Sequence, residues 1–191
     1  MALKLYHFEA CPFCEKVRST LRRMDLRYES VEIDPSDRAA VKAISGQKLV
    51  PVLVDGDMVV YDSTRILRYL VQTYGGGRFL PDDPRSRGLM WIFEDYVDEV
   101  LIPLVRRVGK GTDASGNPMD DAGKALLKTE AAHQYESLEM LLSTDDFTLG
   151  GRVSLADIAL YSCLSRLELY SPRGIPADCP KIRAWYSRMK A

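Results

Sequence analysis

The residues of this 191-residue chain best placed to do chemistry are Cys11 and Cys14, which enclose Pro12 and Phe13 in the run "YHFEACPFCEKVRSTL". Three readings apply to such a pair: a redox couple, half of a metal site, or two packed thiols. The residues before it read as a strand and those after it as a helix, so Cys11 opens a helix. A thiolate is the nucleophilic form of cysteine, and a free thiol with a pKa near 8.5 is mostly protonated at neutral pH. Unpaired amides and the positive end of the helix dipole favour an anion at that position, and Pro12 fits a first turn that needs no amide hydrogen there. Cys11 is therefore the expected nucleophile. Cys14, one turn in and deeper on the same side, is expected to resolve a mixed disulfide formed at Cys11.

A zinc site needs two further ligands, and neither Cys163 and Cys179 nor His7 and His133 stands at a paired spacing. No metal is expected. Cys163 lies in a strongly apolar run and reads as core, while Cys179 precedes Pro180 in a loop.

The elements that must position the pair follow from periodicity. Residues 3–8 read as a strand, 12–24 as a helix, 28–33 as a second strand and 36–44 as a short helix. The run "VPVLVDGDMVVY" reads as two strands joined around Asp55 and Gly56, and 62–74 as a helix. The order is β-α-β-α-β-β-α. The Gly- and Pro-rich run "GGGRFLPDDPRS" reads as a linker, and beyond it only helical periodicity remains: 86–108, 120–143, a helix opening at Ser154, and 181–189 around Trp185. In "SLAD", Ser154 and Asp157 form a capping-box signal. The expected domains are 1–75, a linker over 76–87, and an all-helical 88–191.

With 46% hydrophobic and 28% charged residues and a formal net charge of -1, the composition suits a globular chain and argues against a nucleic-acid partner. No apolar run has the length of a membrane span, and no secretory leader is visible. Four unevenly spaced cysteines do not make a disulfide scaffold, so the expected location is the cytoplasm.

These residues resemble the glutaredoxins that carry a glutathione-transferase fold, a thioredoxin-like domain followed by an all-helical one. The markers are "CPFC" at 11–14, "GQKLVPVL" at 46–53, "YDSTRILRYL" at 61–70 and "GGRVSLADIALY" at 150–161. The omega class of transferases is similar, with a catalytic cysteine at the same place. The resemblance implies glutathione as co-substrate. Val50, ahead of a cis Pro51, would pair by its backbone with the cysteine of glutathione. Asp62 and Ser63 would hold the γ-glutamyl end, Lys48 would meet the glycyl carboxylate, and Phe13 belongs to the same binding set. Helix capping is the alternative role of Asp62 and Ser63.

The sequence departs from that pattern in places. Glu9, two residues before the nucleophile, is expected to raise the Cys11 pKa. Asp62 is one methylene shorter than the commoner glutamate, and of Asp37 and Arg38, where the omega class offers a lysine, the arginine alone could serve. Tyr6 lies inside a strand and reads as packing. The expected function is a glutathione-dependent thiol-disulfide oxidoreductase. It would act on disulfide-containing or glutathionylated proteins or small disulfides, as a monomer or homodimer, away from membranes. The alternatives are a glutathione S-transferase that conjugates electrophiles and a non-catalytic protein-binding scaffold.

Overall fold

Leu3, Leu5 and His7 are buried while Lys4 and Tyr6 are half-exposed, and this period of two makes the strand β1 (Leu3–His7). In the computed structural model, which describes residues 3–142, 145–166 and 174–190, the chain divides into two compact units, Met1–Leu80 and Pro81–Ala191. The first runs from β1 through α1 (Pro12–Arg23), β2 (Tyr28–Glu32), α2 (Ala39–Ser45), β3 (Val52–Asp55) and β4 (Met58–Tyr61) to α3 (Ser63–Thr73). The sheet order is β2-β1-β3-β4, with β1 and β2 parallel and the other pairs antiparallel. A parallel pair needs a crossover, and α1 supplies it. The two hydrophobic faces go to different helices. Leu5, Leu53, Val17, Leu21, Ile66 and Leu67 are fully buried where α1 and α3 pack together, and Val41 of α2 packs with Ile33 and Val52 on the other face.

The β-α-β-α-β-β-α order is the one expected, with shifts at the ends. The hairpin turns on Gly56 and Asp57 rather than on Asp55, because Asp55 still pairs with Met58 and Gly56 takes φ +59°, a value that glycine adopts without strain. Helix α2 starts at 39 instead of 36. Asp34 bonds the amide of Ser36 at 2.7 Å and Asp37 that of Ala39 at 2.9 Å, so local turns compete with the first helical turn. The stretch expected as a linker holds a 3-10 turn (Gly76–Phe79) and, from Pro84, the start of a helix capped by the Asp83 carboxylate.

The second unit contains α4 (Pro84–Tyr96), α5 (Ile102–Lys110), α6 (Asp121–Leu141), α7 (Leu155–Leu164) and α8 (Pro180–Lys190). The helix expected over 86–108 is interrupted by a π turn at Val97–Leu101. Pro103 stands two residues past it; it has no amide hydrogen to donate, and a widened turn absorbs that loss. Residue 143, the expected end of α6, lies outside the described residues. Asp157, fully buried, accepts from the Ser154 amide and hydroxyl, the Thr148 amide and Trp185 Nε1, all at 2.8 to 2.9 Å. The capping box thus also ties α7 to α8.

Candidate functional site

Register decides what the first unit brings together. Tyr6 lies opposite Val52, and Val52 opposite Tyr61. The C-terminal end of β1, the N-terminal end of β3 and the C-terminal end of β4 therefore share one edge of the sheet. From that edge leave the loop to Cys11, the segment Val50–Pro51 and the pair Asp62–Ser63. Cys11, Val50 and Asp62, far apart in sequence, follow or precede strand ends at one edge because the strands alternate in direction.

Cys11 is the N-cap of α1 and Pro12 its first residue. Its Sγ accepts the Cys14 amide at 3.4 Å. The Cys11 thiol is held below its ordinary pKa, first by a hydrogen bond from the Cys14 thiol, then by the amides of Cys14 and Phe13 and the charge of Arg18, against the opposing effect of burial. Cys14 is shifted the other way, pushed up by burial and by donating to Cys11. The two thiols are thus shifted in opposite directions, Cys11 down and Cys14 up. Both are free. Phe13, between them, is half-buried, with the Lys16 ammonium 6.0 Å from its ring centroid.

The segment before β3 is organised by Gln47. Its amide donates to Ser45 Oγ at 3.0 Å and to the Leu49 carbonyl at 2.9 Å, and its carbonyl accepts from the Leu49 amide. Lys48 stands exposed in this loop. Val50 packs against the Ile33–Val41–Val52 cluster, and the Val50–Pro51 bond is cis, as the resemblance implies. At the third corner Asp62 takes φ 73°, ψ 128°, a region that side-chain-bearing residues seldom occupy, and its carboxylate caps α3 through the Arg65 amide at 3.1 Å. Ser63, the first residue of α3, is buried. The helix-capping role weighed for Asp62 is thus present, in a conformation that capping alone does not require. Two helix N-termini, of α1 and α3, open at this edge, and each favours an anion.

Other sequence expectations resolve plainly. Tyr6 packs against the Ile33–Val41–Val52 cluster. Arg38 lies with its guanidinium 4.8 Å from the centre of the Phe8 ring and donates to the Pro35 carbonyl at 2.9 Å, while Asp37 is used in the turn before α2. Cys163 is buried in α7, and burial pushes its thiol up to about 12. Cys179 is also buried, just ahead of α8.

The Glu9 carboxylate is ion-paired with Arg18, at 3.0 Å to Nη1 and 3.2 Å to Nη2, so its charge does not act on Cys11 alone, and the Cys11 pKa lies below its ordinary value. Arg18 and its partner Glu15 were missed by reading along the chain. The i, i+3 spacing of Glu15 and Arg18 on α1 is a signal that could have found them, but the bonds to Glu9 and to His7 Nδ1, at 2.9 Å, are tertiary. Among the described residues no group of three or more His, Cys, Asp or Glu side chains could hold a metal ion. No described helix is long and apolar enough to cross a membrane.

The family model for the glutathione S-transferase N-terminal domain matches residues 5–78, and that for the C-terminal domain matches 121–188. Glutathione S-transferase U2 of Arabidopsis thaliana is 31% identical over 200 residues, covering 98% of this chain and 84% of the relative. Glutathione S-transferase omega-1 of Sus scrofa is 27% identical over 196 residues, covering 98% and 76%. Among solved structures, a theta class glutathione S-transferase from Xanthomonas axonopodis pv. citri, with glutathione bound, superposes with a TM-score of 0.80 at 24% identity over 98% of this chain and 91% of that one.

Proposed function

The chain belongs to the glutathione S-transferase family, and within that family we propose that it is a glutathione-dependent thiol-disulfide oxidoreductase. The observation that carries this reading is the placement of two free thiols three residues apart at the N-terminus of α1, with Cys11 as the N-cap, its Sγ accepting the Cys14 amide at 3.4 Å, and Cys14 buried one turn in. Conjugation of electrophiles requires a group that stabilises the glutathione thiolate. A cysteine thiolate at that place instead attacks the glutathione sulfur of an existing mixed disulfide, bonding to glutathione while the other sulfur leaves as a thiolate.

On this reading the Cys11 thiolate attacks the glutathione sulfur of a glutathionylated protein. The protein sulfur leaves as a thiolate that takes a proton from water, and Cys11 is left bonded to glutathione. A second glutathione thiolate then attacks that sulfur, releasing oxidised glutathione and restoring the Cys11 thiolate. Val50 presents its backbone to the tripeptide, Asp62 and Ser63 hold its γ-glutamyl end, and Phe13 and Lys48 complete the contact. Four free thiols suit a reducing compartment, in keeping with a cytoplasmic site of action.

The test separates two substrates. A glutathionylated peptide needs only Cys11, whereas a protein disulfide leaves the enzyme tethered until Cys14 cuts the link. Cys11→Ser should abolish turnover of both. Cys14→Ser should keep most deglutathionylation and lose much of the protein-disulfide reduction. If Cys11→Ser retains glutathione-dependent turnover, or conjugates an electrophile faster than the parent, the protein is a conjugating transferase.

A further inference from the structure

Arg18 is buried, its side chain 7% exposed, and a guanidinium in that state needs its donors met. Nε and Nη2 donate to Glu15 Oε2 at 3.1 and 2.6 Å, Nη1 meets Glu9 Oε2 and His7 Nδ1 at 3.0 and 2.9 Å, and Nη2 also reaches the Glu9 carbonyl at 3.1 Å. Since a guanidinium only donates, Nδ1 of His7 is the acceptor, and Nε2 carries the hydrogen donated to Ser30 Oγ at 2.6 Å. The neutral state this requires matches the direction of its pKa, lowered by burial and by Arg18. Arg22 places a second cation on Glu15, at 3.1 Å. From β2, Tyr28 and Glu32 also face this group, the first as a neutral phenol whose pKa is raised by burial, the second as a carboxylate acting on His7.

The bonds to Glu9 matter most for Cys11. Arg18 holds both the carboxylate and the backbone carbonyl of the residue that starts the two-residue approach to the nucleophile. Its cation also stands against two carboxylates, Glu9 and Glu15, that lie within four residues of Cys11 on either side.

We propose that Arg18 is a positioning residue for Cys11: it clamps the Glu9–Ala10 approach by its backbone and cancels the two carboxylates, so that a thiolate forms at Cys11 at neutral pH. The inference rests on the assignment of Cys11 as the reacting thiol, but it is tested without glutathione. The pH at which Cys11 of the full chain is half-alkylated by iodoacetamide is read by mass analysis of its peptide. Arg18→Met should raise that midpoint by about one pH unit, the lower end of the range for loss of a close opposite charge. Adding Glu9→Gln should return about half of the rise, because one of the two carboxylates that Arg18 meets is gone. Arg18→Lys, which keeps the charge, should stay near the parent.

A clamp that only shapes the loop has no reason to be relieved by removing a carboxylate, so equal midpoints for Arg18→Met and the double variant would overturn the charge role. An Arg18→Met midpoint equal to the parent would overturn the proposal outright. Should Arg18→Met fail to fold, Glu9→Gln alone decides. Glu9 has a side chain 66% exposed, and its loss should lower the midpoint; no change there overturns the proposal. A parent that shows these shifts yet turns over no glutathionylated peptide would sink the oxidoreductase reading and leave the role of Arg18 standing.

Discussion

Cys14 acts on Cys11 in two ways that substitution can separate. Its amide donates to the Cys11 sulfur whatever the side chain, while its thiol donates only if a hydrogen is present. Hydrogen bonds to charged groups contribute about 1.5 to 3 kcal/mol, and one pKa unit corresponds to about 1.36 kcal/mol. A thiol is a weak donor, which places the effect at the lower end, so Cys14→Ala should raise the half-alkylation pH of Cys11 by about one unit. Cys14→Ser retains a hydroxyl donor and should remain near the parent or below it. The same two variants should differ in deglutathionylation at pH below the raised midpoint, where Cys14→Ala is short of thiolate, and should be equally poor at reducing a protein disulfide, which needs a second sulfur. If Cys14→Ala leaves the midpoint unmoved, or Cys14→Ser raises it as much as alanine does, the donated proton is not what lowers the Cys11 pKa.

The double variant Asp62→Ala with Ser63→Ala should weaken glutathione binding by several kcal/mol, at about 1.5 to 3 kcal/mol for each charge-assisted bond, measured by titration calorimetry; unchanged affinity together with lower thermal stability would reduce the pair to a helix cap. His7 supplies a pH dependence. Its folded-state pKa is lowered from 6.5, chiefly by burial, so as pH falls below that value the unfolded chain binds a proton that the folded chain refuses, and stability should drop through this window. His7→Gln should flatten the difference in urea midpoint between about pH 7.5 and about pH 5.5; an unchanged difference would place its origin elsewhere.

Much of this could be read along the chain because the forces involved are local. The helix start at Pro12, the capping box of Ser154 and Asp157, and the strand start at Leu3 each depend on a few neighbouring residues, and all appear where expected. What shifted was governed by competition at element ends: the Asp34 and Asp37 side chains delay α2, and Pro103 opens a π turn in a helix that periodicity alone would draw as continuous.

The charge environment of Cys11 was not legible in the same way, and Glu9 shows why. The size of a residue's influence on a neighbouring thiol depends on whether its charge is matched, and the match for Glu9 is a guanidinium nine residues on, delivered by the turn from β1 into α1. Sequence proximity to Cys11 is fixed by the chain; electrostatic proximity is fixed by the fold. The same distinction holds for the three corners of the candidate site. Cys11, Val50–Pro51 and Asp62–Ser63 are far apart in sequence, and no periodicity links them. They converge because β3 runs antiparallel to both β1 and β4, so one sheet edge collects the exit of β1, the entry of β3 and the exit of β4. An inserted residue in β3 would shift the Tyr6–Val52–Tyr61 register and send its side chains to the opposite faces, taking Val50 out of line with Cys11 without touching either cysteine.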